Sequence, residues 1–159
     1  MCIRDRIYTD GAAKGNPGNG GYGVVLLSGK HRKEISQGFK LTTNNRMELL
    51  AVIIGLESLK KEGETVIIYS DSKYVVDAVE KKWVFGWEKK NFNKKKNPDL
   101  WIRFLKIYRQ HNVTFKWVKG HSNNLENDRC DLLAVEASEG SMLEKDDWYE
   151  RSQEKNSLF

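Results

Sequence analysis

Cysteine is scarce in this chain: Cys2 and Cys130 are the only two in 159 residues. They have no metal-ligand spacing, so neither a disulfide framework nor a zinc site organises the fold, and a reducing, cytoplasmic setting is expected. Long apolar runs are missing as well. No stretch approaches the roughly 18 residues of a membrane span, and the opening Met-Cys-Ile-Arg-Asp-Arg has no apolar signal core, so no membrane partner is expected. Histidine is nearly absent, with three in all. The glycine-rich stretch near the start has no Gly-Lys-Ser/Thr after it and leads into a strand, which argues against a phosphate-cradling loop.

What is present is charge, 31% of residues, beside 39% hydrophobic ones. That balance suits one globular domain able to bury its own core. The net charge is +5, and the excess is clustered. Lys81, Lys82, Lys89, Lys90, Lys94, Lys95 and Lys96 interleave with Trp83, Phe85, Trp87 and Phe92. A solvated lysine face is the ordinary explanation of a charge run, but such a face does not normally carry two tryptophans. Rings among ammonium groups suit stacking on bases or sugars while phosphates are neutralised, with strongly salt-dependent binding.

Ile7 and Tyr8 lead a strand into Asp10, glycines and Pro17 turn the chain, and Tyr22 to Leu27 and Glu34 to Leu41 continue as an antiparallel meander. An almost wholly apolar helix follows from Asn44 to near Gly63, with Glu48 in its first turn, where it could instead close a capping box with Asn45. Thr65 to Asp71 repeats the first strand's pattern, a β-rich run discharging into an acid, although Asp71 could be a plain turn residue beside Ser72. Asn97-Pro98 opens another helix, and Val113 to Val118 forms a fifth strand. That strand runs into a polar loop carrying His121, placed as a proton carrier needs, whereas His31 sits in a basic turn and reads as solvated. Asp131 lies inside a last helix that starts near Leu125, and a polar, partly ordered tail is expected over 140–159.

Parallel strands discharge their ligand-binding residues at one edge of an α/β sheet, which makes Asp10 and Asp71 a pair. If Glu48 and Asp131 join them, four carboxylates repel one another unless cations fill the gap. Oxygen-only donors suit Mg²⁺ or Mn²⁺, and two such ions support phosphodiester hydrolysis.

These residues fall in ordered motifs: Thr9-Asp10-Gly11, Gly15-Asn16-Pro17-Gly18, Gly20-Gly21-Tyr22-Gly23, Thr43-Asn44-Asn45-Arg46-Met47-Glu48, Ser70-Asp71-Ser72, Trp117-Val118-Lys119-Gly120-His121 and Asn127-Asp128-Arg129-Cys130-Asp131. Together, from Ile7 to Ala137, they resemble the bacterial-type type 1 ribonucleases H. The resemblance implies an α/β, ribonuclease H-like fold. Its five-stranded mixed sheet would have the first three strands antiparallel, strands 1, 4 and 5 parallel, and helices on its flanks. It also implies endonucleolytic cutting of the RNA strand of RNA/DNA hybrids, leaving 5′-phosphate and 3′-hydroxyl ends, by a domain over 1–139 that acts as a monomer. Asp10, Glu48, Asp71 and Asp131 then become ligands of two Mg²⁺ ions, with Mn²⁺ as substitute, and His121 the mobile proton carrier. Gly11, Asn16, Asn44 and Asn45 match positions near the RNA 2′-hydroxyls, and Thr43 and Asn97 a DNA-phosphate pocket. Residues 81–97, with Trp83, Trp87, Lys89 and Lys90, match the family's basic protrusion.

Three positions depart from the familiar bacterial pattern. Lys73 stands where a glutamine is frequent, the basic protrusion is several residues shorter, and weaker strand pairing is expected before Ile7. A catalytically silent hybrid-binding module and a relative performing DNA-strand transfer or nucleotide hydrolysis on the same sheet are the rival readings. A reverse transcriptase can also carry such a domain.

Overall fold

The computed structural model describes residues 5–119 and 124–157. Strands β1 (Asp5–Lys14), β2 (Gly18–Ser28) and β3 (His31–Thr42) form the antiparallel meander. Helix α1 (Asn44–Glu57) returns the chain to β4 (Thr65–Ser70), parallel to β1, and β5 (Asn112–Trp117) extends the sheet parallel to β4. Between β4 and β5 come α2 (Lys73–Glu80), α3 (Trp83–Lys89) and α4 (Pro98–Tyr108). Helix α5 (Leu125–Glu139) follows β5, then β6 (Leu143–Lys145) and α6 (Asp147–Ser157).

The sheet has six strands in the order β5-β4-β1-β2-β3-β6, one more than expected. The extra strand is short and polar, with Gly38, Phe39 and Lys40 of β3 opposite Leu143, Glu144 and Lys145, so no apolar alternation announces it. The weak pairing expected before Ile7 is not seen at Asp5 and Arg6, the described residues there. Arg6 pairs with Leu27 and Asp5 with Val66, and the buried Asp5 carboxylate accepts from the Ser28 hydroxyl at 2.7 Å.

The meander alternates its apolar residues between two faces, as a pleated sheet requires. Ile7 and Val24 join the large core with α1, α2 and α4, whereas Tyr8 and Val25 face α5 with Cys130 and Leu133. Helix α1 is capped by Thr43, whose hydroxyl accepts from the Arg46 amide at 3.2 Å. It ends at Glu57, short of the expected Gly63, because the Ser58 hydroxyl bonds back to the Ile54 carbonyl and Gly63, at φ +74, turns the chain toward β4.

The segment after residue 139, expected as a polar, partly ordered tail, is tied into the core. Arg46 in α1 is buried, and all five of its guanidinium hydrogens are used: Nε and Nη2 on Asp146 at 2.7 and 3.0 Å, both terminal nitrogens on Asp99 at 2.9 and 2.8 Å, and Nη1 on Asn97 at 3.2 Å. Asp146 also accepts from the Thr42 hydroxyl at 2.7 Å. Removing one partner of such a buried pair strands the other, so β6 and α6 are anchored by a fixed ionic core beside the buried Tyr149.

Glycines on the strands set how closely the helices approach the sheet. A Cβ on Gly11 would lie 2.4 Å from the backbone nitrogen of Glu48, and one on Gly23 would lie 2.3 Å from the carbonyl oxygen of Cys130. α1 on one face and α5 on the other therefore rest backbone on backbone against neighbouring strands. Gly11→Ala is expected to destabilise the protein by about 1–3 kcal/mol, an overpacking cost. Gly86→Ala, in α3 with nothing within 4 Å of the added methyl, should stabilise it by roughly 0.5–1 kcal/mol. Thermal unfolding of the two variants checks the pair.

Candidate active site

Asp10 lies in the middle of β1, not at its exit, because β1 runs on to Lys14 as a hairpin with β2. Its parallel ladder with β4, however, stops at Tyr8 and Tyr69. Beyond that point β1 and β4 diverge, and Asp10 and Asp71 face the gap. Ser72, not Asp71, caps α2, its hydroxyl accepting from the Val75 amide at 3.3 Å, which leaves the Asp71 carboxylate to the cleft. Glu48 is likewise no capping-box partner. The cap is Thr43, so Glu48 stands five residues into the helix, where the Gly11 contact presses its backbone onto β1.

Carboxylate oxygens of Asp10, Glu48 and Asp71 all lie within 4.8 Å of one another. Asp10 is 8% and Glu48 4% exposed. Burial, then the Asp71 charge, pushes Asp10 up to about 7. Burial, followed by Asp10 and Asp71, holds Glu48 well above the usual carboxylate range. One Glu48 oxygen, Oε2, is buried with no hydrogen-bond partner. A buried, unsatisfied oxygen among crowded acids costs free energy unless a cation meets it, and an all-oxygen donor set fits a hard divalent ion. The Gly11 amide donates to Asp10 Oδ1 at 2.8 Å and fixes that carboxylate.

The three acids form the floor of a cleft of about 300 Å³. Asp131 lines the same cleft but is exposed, on α5, and stands outside the three-oxygen cluster. Asn127 and Asp128 share its wall, one turn earlier on α5, where the sequence reading had not placed functional groups. Asn124 caps α5 and accepts from the amides of Glu126 and Asn127 at 3.0 and 3.1 Å. His121 lies outside the described residues.

Of the residues expected to meet substrate, Gly11 and Asn44 line the carboxylate cleft, and the Asn44 amide donates to Asn16 Oδ1 at 3.1 Å. Asn16, Thr43, Asn45 and Asn97 line a neighbouring cleft. Thr43 is committed to its cap, and Asn97 is held by Arg46 and by Tyr74, whose hydroxyl takes its side-chain NH₂ at 3.0 Å.

The basic segment departs from an array of exposed rings. Trp83 is 49% exposed, but Phe92 is buried, Trp87 packs edge-on against Trp101 and Phe85 packs against Tyr108. Core packing takes the apolar side of α3 and leaves Lys89 and Lys90 exposed at its end. Trp117, quoted only as part of a motif, bridges to the site: its Nε1 donates to the Asp71 carbonyl at 3.2 Å, and Lys73 holds its ammonium 4.4 Å from the ring centroid. The free thiol of Cys130 is buried beneath the site, donates to the Tyr8 carbonyl at 3.1 Å and is pushed up by burial, so it is no nucleophile.

Comparison with known proteins agrees with this geometry. The ribonuclease H family model matches residues 4–139. A ribonuclease H from Desulforamulus reducens is 57% identical over 145 residues, covering 88% of this chain and 91% of that protein. One from Syntrophus aciditrophicus is 55% identical over 148 residues, covering 90% and 85%. Among solved structures, LC9-RNase H1, a type 1 RNase H with the type 2 active-site motif, superposes with TM-score 0.78 at 28% identity, covering 88% of this chain and 74% of that one. LC11-RNase H1 in complex with an RNA/DNA hybrid superposes with TM-score 0.63 at 29% identity, covering 86% and 97%. With its mixed sheet, its flanking helices and its acids gathered where β1 and β4 part, the chain belongs to the ribonuclease H family.

Proposed function

We propose that the chain cuts the RNA strand of RNA/DNA hybrids endonucleolytically, leaving 5′-phosphate and 3′-hydroxyl ends, as a monomer in the cytoplasm. The observation that carries this reading is the cluster of Asp10, Glu48 and Asp71, whose oxygens lie within 4.8 Å in a chain of ribonuclease H sequence. The hybrid-bound relative supports the choice of substrate. No helix among the described residues is long and apolar enough to cross a membrane.

Asp10, Glu48 and Asp71 would hold the metal, with Asp131 on the cleft wall of α5 as a further ligand. Bound there, Mg²⁺, with Mn²⁺ as a substitute and two ions when substrate is bound, would supply an activated water and neutralise charge on the departing oxygen. The chain's own part is to keep the acids together in a buried cleft against their repulsion and to orient the RNA backbone across them. Gly11 offers no side chain to obstruct the strand, and Asn16 in the turn between β1 and β2, with Asn44 and Asn45 at the start of α1, meets the sugar edge. Thr43 and Asn97 face a phosphate, and Lys73, set on Trp117, faces the RNA backbone. Trp83, with Trp87 behind it and Lys89 and Lys90 nearby, carries the outlying duplex. His121 is the proton carrier, on the strength of its place after β5, whose last amide neighbour, Val118, bonds to the Ser70 carbonyl at 2.9 Å.

Asp10→Asn is expected to lower cleavage of a labelled hybrid by roughly 10³-fold or more, as loss of a preorganised electrostatic site does. Residual cleavage within tenfold of wild type would sink the assignment.

The crowding also fixes a pH dependence. Asp10 titrates from 3.8 in its ordinary state to about 7 in the fold. Below that window both states keep the proton. Within it the unfolded chain has released the proton and the folded one has not, so stability falls as pH rises toward about 7. Metal competes with those protons. Calorimetry should therefore show Mg²⁺ raising Tm more at pH 8 than at pH 5, with a stabilisation of ~2.7 kcal/mol at a hundredfold excess over Kd and Asp10→Asn flattening the response.

A further inference from the structure

The three clustered acids are not held in place in the same way. Asp10 sits inside the β1–β2 ladder with the Gly11 amide on its carboxylate, and Glu48 sits inside α1, whose backbone is pressed onto β1 at Gly11. Asp71 belongs to neither a helix nor a strand, because β4 ends at Ser70 and α2 begins at Lys73. An acid on so short a link gains no direction from regular hydrogen bonding of its own, yet one of its oxygens meets those of Asp10 and Glu48 within 4.8 Å. Its direction has to come from neighbouring elements.

The end of β5 supplies it. The Val118 amide donates to the Ser70 carbonyl at 2.9 Å, and Trp117 Nε1 donates to the Asp71 carbonyl at 3.2 Å, so consecutive residues at the end of β5 grip consecutive residues at the end of β4. On the helix side, the Ser72 amide donates to the buried Ser70 hydroxyl at 3.1 Å, and Ser72 caps α2. The peptides on both sides of Asp71 are thereby pinned. Burial does not account for the tryptophan that takes part, since its ring is 45% exposed. The ring is instead held on its face by Lys73, whose ammonium lies 4.4 Å from the centroid. A cation over an indole both orients the ring and polarises it, which strengthens the N–H as a donor.

Resting on the reading of Asp71 as a metal ligand in a hybrid-cleaving site, we propose that Trp117 is a positioning residue for that site. Its indole N–H fixes the peptide between Asp71 and Ser72 and so sets the direction of the Asp71 carboxylate, while Lys73 holds the ring where the N–H reaches. A tilt of that peptide would carry the carboxylate with it, and a preorganised ligand set tolerates displacements of only about 0.5 Å. Trp117 acts through Asp71. Its loss therefore loosens the metal and leaves the grip on the hybrid to other residues.

Mn²⁺ affinity is measured without nucleic acid, from the electron paramagnetic resonance signal of the free ion, for wild type, Trp117→Phe, Asp71→Asn and the double variant. The metal and hybrid dependence of cleavage is followed for the first two. Trp117→Phe keeps an aromatic face under Lys73 and removes the N–H. It is expected to weaken Mn²⁺ binding about three- to tenfold, the worth of one hydrogen bond, and to raise the metal concentration for half-maximal cleavage by a similar factor. Hybrid KM at saturating metal should stay within about twofold of wild type. In the Asp71→Asn background, which retains Asp10 and Glu48, the same substitution should change Mn²⁺ affinity by less than about twofold. A further measurement needs no variant: in the wild type the Trp117 indole proton should exchange with water about tenfold more slowly than that of Trp83, a ring of similar exposure at 49%. Equal Mn²⁺ affinity in wild type and Trp117→Phe, an undiminished effect in the Asp71→Asn background, or equal exchange of the two indole protons overturns the proposal. So does a rise in hybrid KM at unchanged metal affinity, which would make the ring a platform for substrate. Failure of the wild type to cut hybrid would sink the hybrid-cleaving reading instead, and the Mn²⁺ titration, which contains no hybrid, still decides the role of Trp117.

Discussion

Mutual repulsion among buried acids is the constraint around which this molecule is arranged. Asp10, Glu48 and Asp71 bring oxygens within 4.8 Å of one another, and burial raises the cost of ionising Asp10 and Glu48. The cluster persists because backbone contacts, not the carboxylates, set its dimensions. The parallel ladder of β1 and β4 ends two residues before Asp10, and the bare Cα of Gly11 admits α1 close enough to bring Glu48 alongside. The energy stored there is released when protons or divalent ions enter. A site that holds metal and a pH-dependent stability are therefore two results of one arrangement.

The same logic recurs on the opposite face, more loosely. Gly23 admits α5 at Cys130, and the next residue, Asp131, reaches the cleft rim while staying exposed. A rim acid can adapt to an incoming substrate in a way that Glu48, fixed by packing, cannot. In the proposed reaction, three carboxylates in a rigid floor would grip the cation and the one on the hydrated edge would accommodate the phosphodiester.

Much of this was legible in the residues. A β-rich run ending in an acid occurs twice, at Asp10 and Asp71, and period and propensity suffice to put both at neighbouring parallel strands. The apolar character of α1 foretold its burial. What escaped was long-range and polar. Arg46 reads as one more motif residue until it meets Asp99, 53 positions on, and Asp146, 100 positions on. β6 and α6 have no apolar stripe and are held by that ionic contact and the single buried ring of Tyr149, so pattern alone made them a tail. The rings of the basic segment looked uniformly exposed because sequence spacing does not reveal that Trp101 and Tyr108 of α4 would cover Trp87 and Phe85. Asn127 and Asp128 line the cleft because α5 packs through Cys130 and Leu133 on Tyr8 and Val25, a long-range contact that the sequence does not display.

Anomalous diffraction from crystals soaked in Mn²⁺ tests the central claim most directly. The account predicts a peak within coordination distance of Asp10, Glu48 and Asp71, lost in Asp10→Asn crystals. Saturating Mn²⁺ with no peak between those three carboxylates, or with the peak bound elsewhere on the protein, would contradict it.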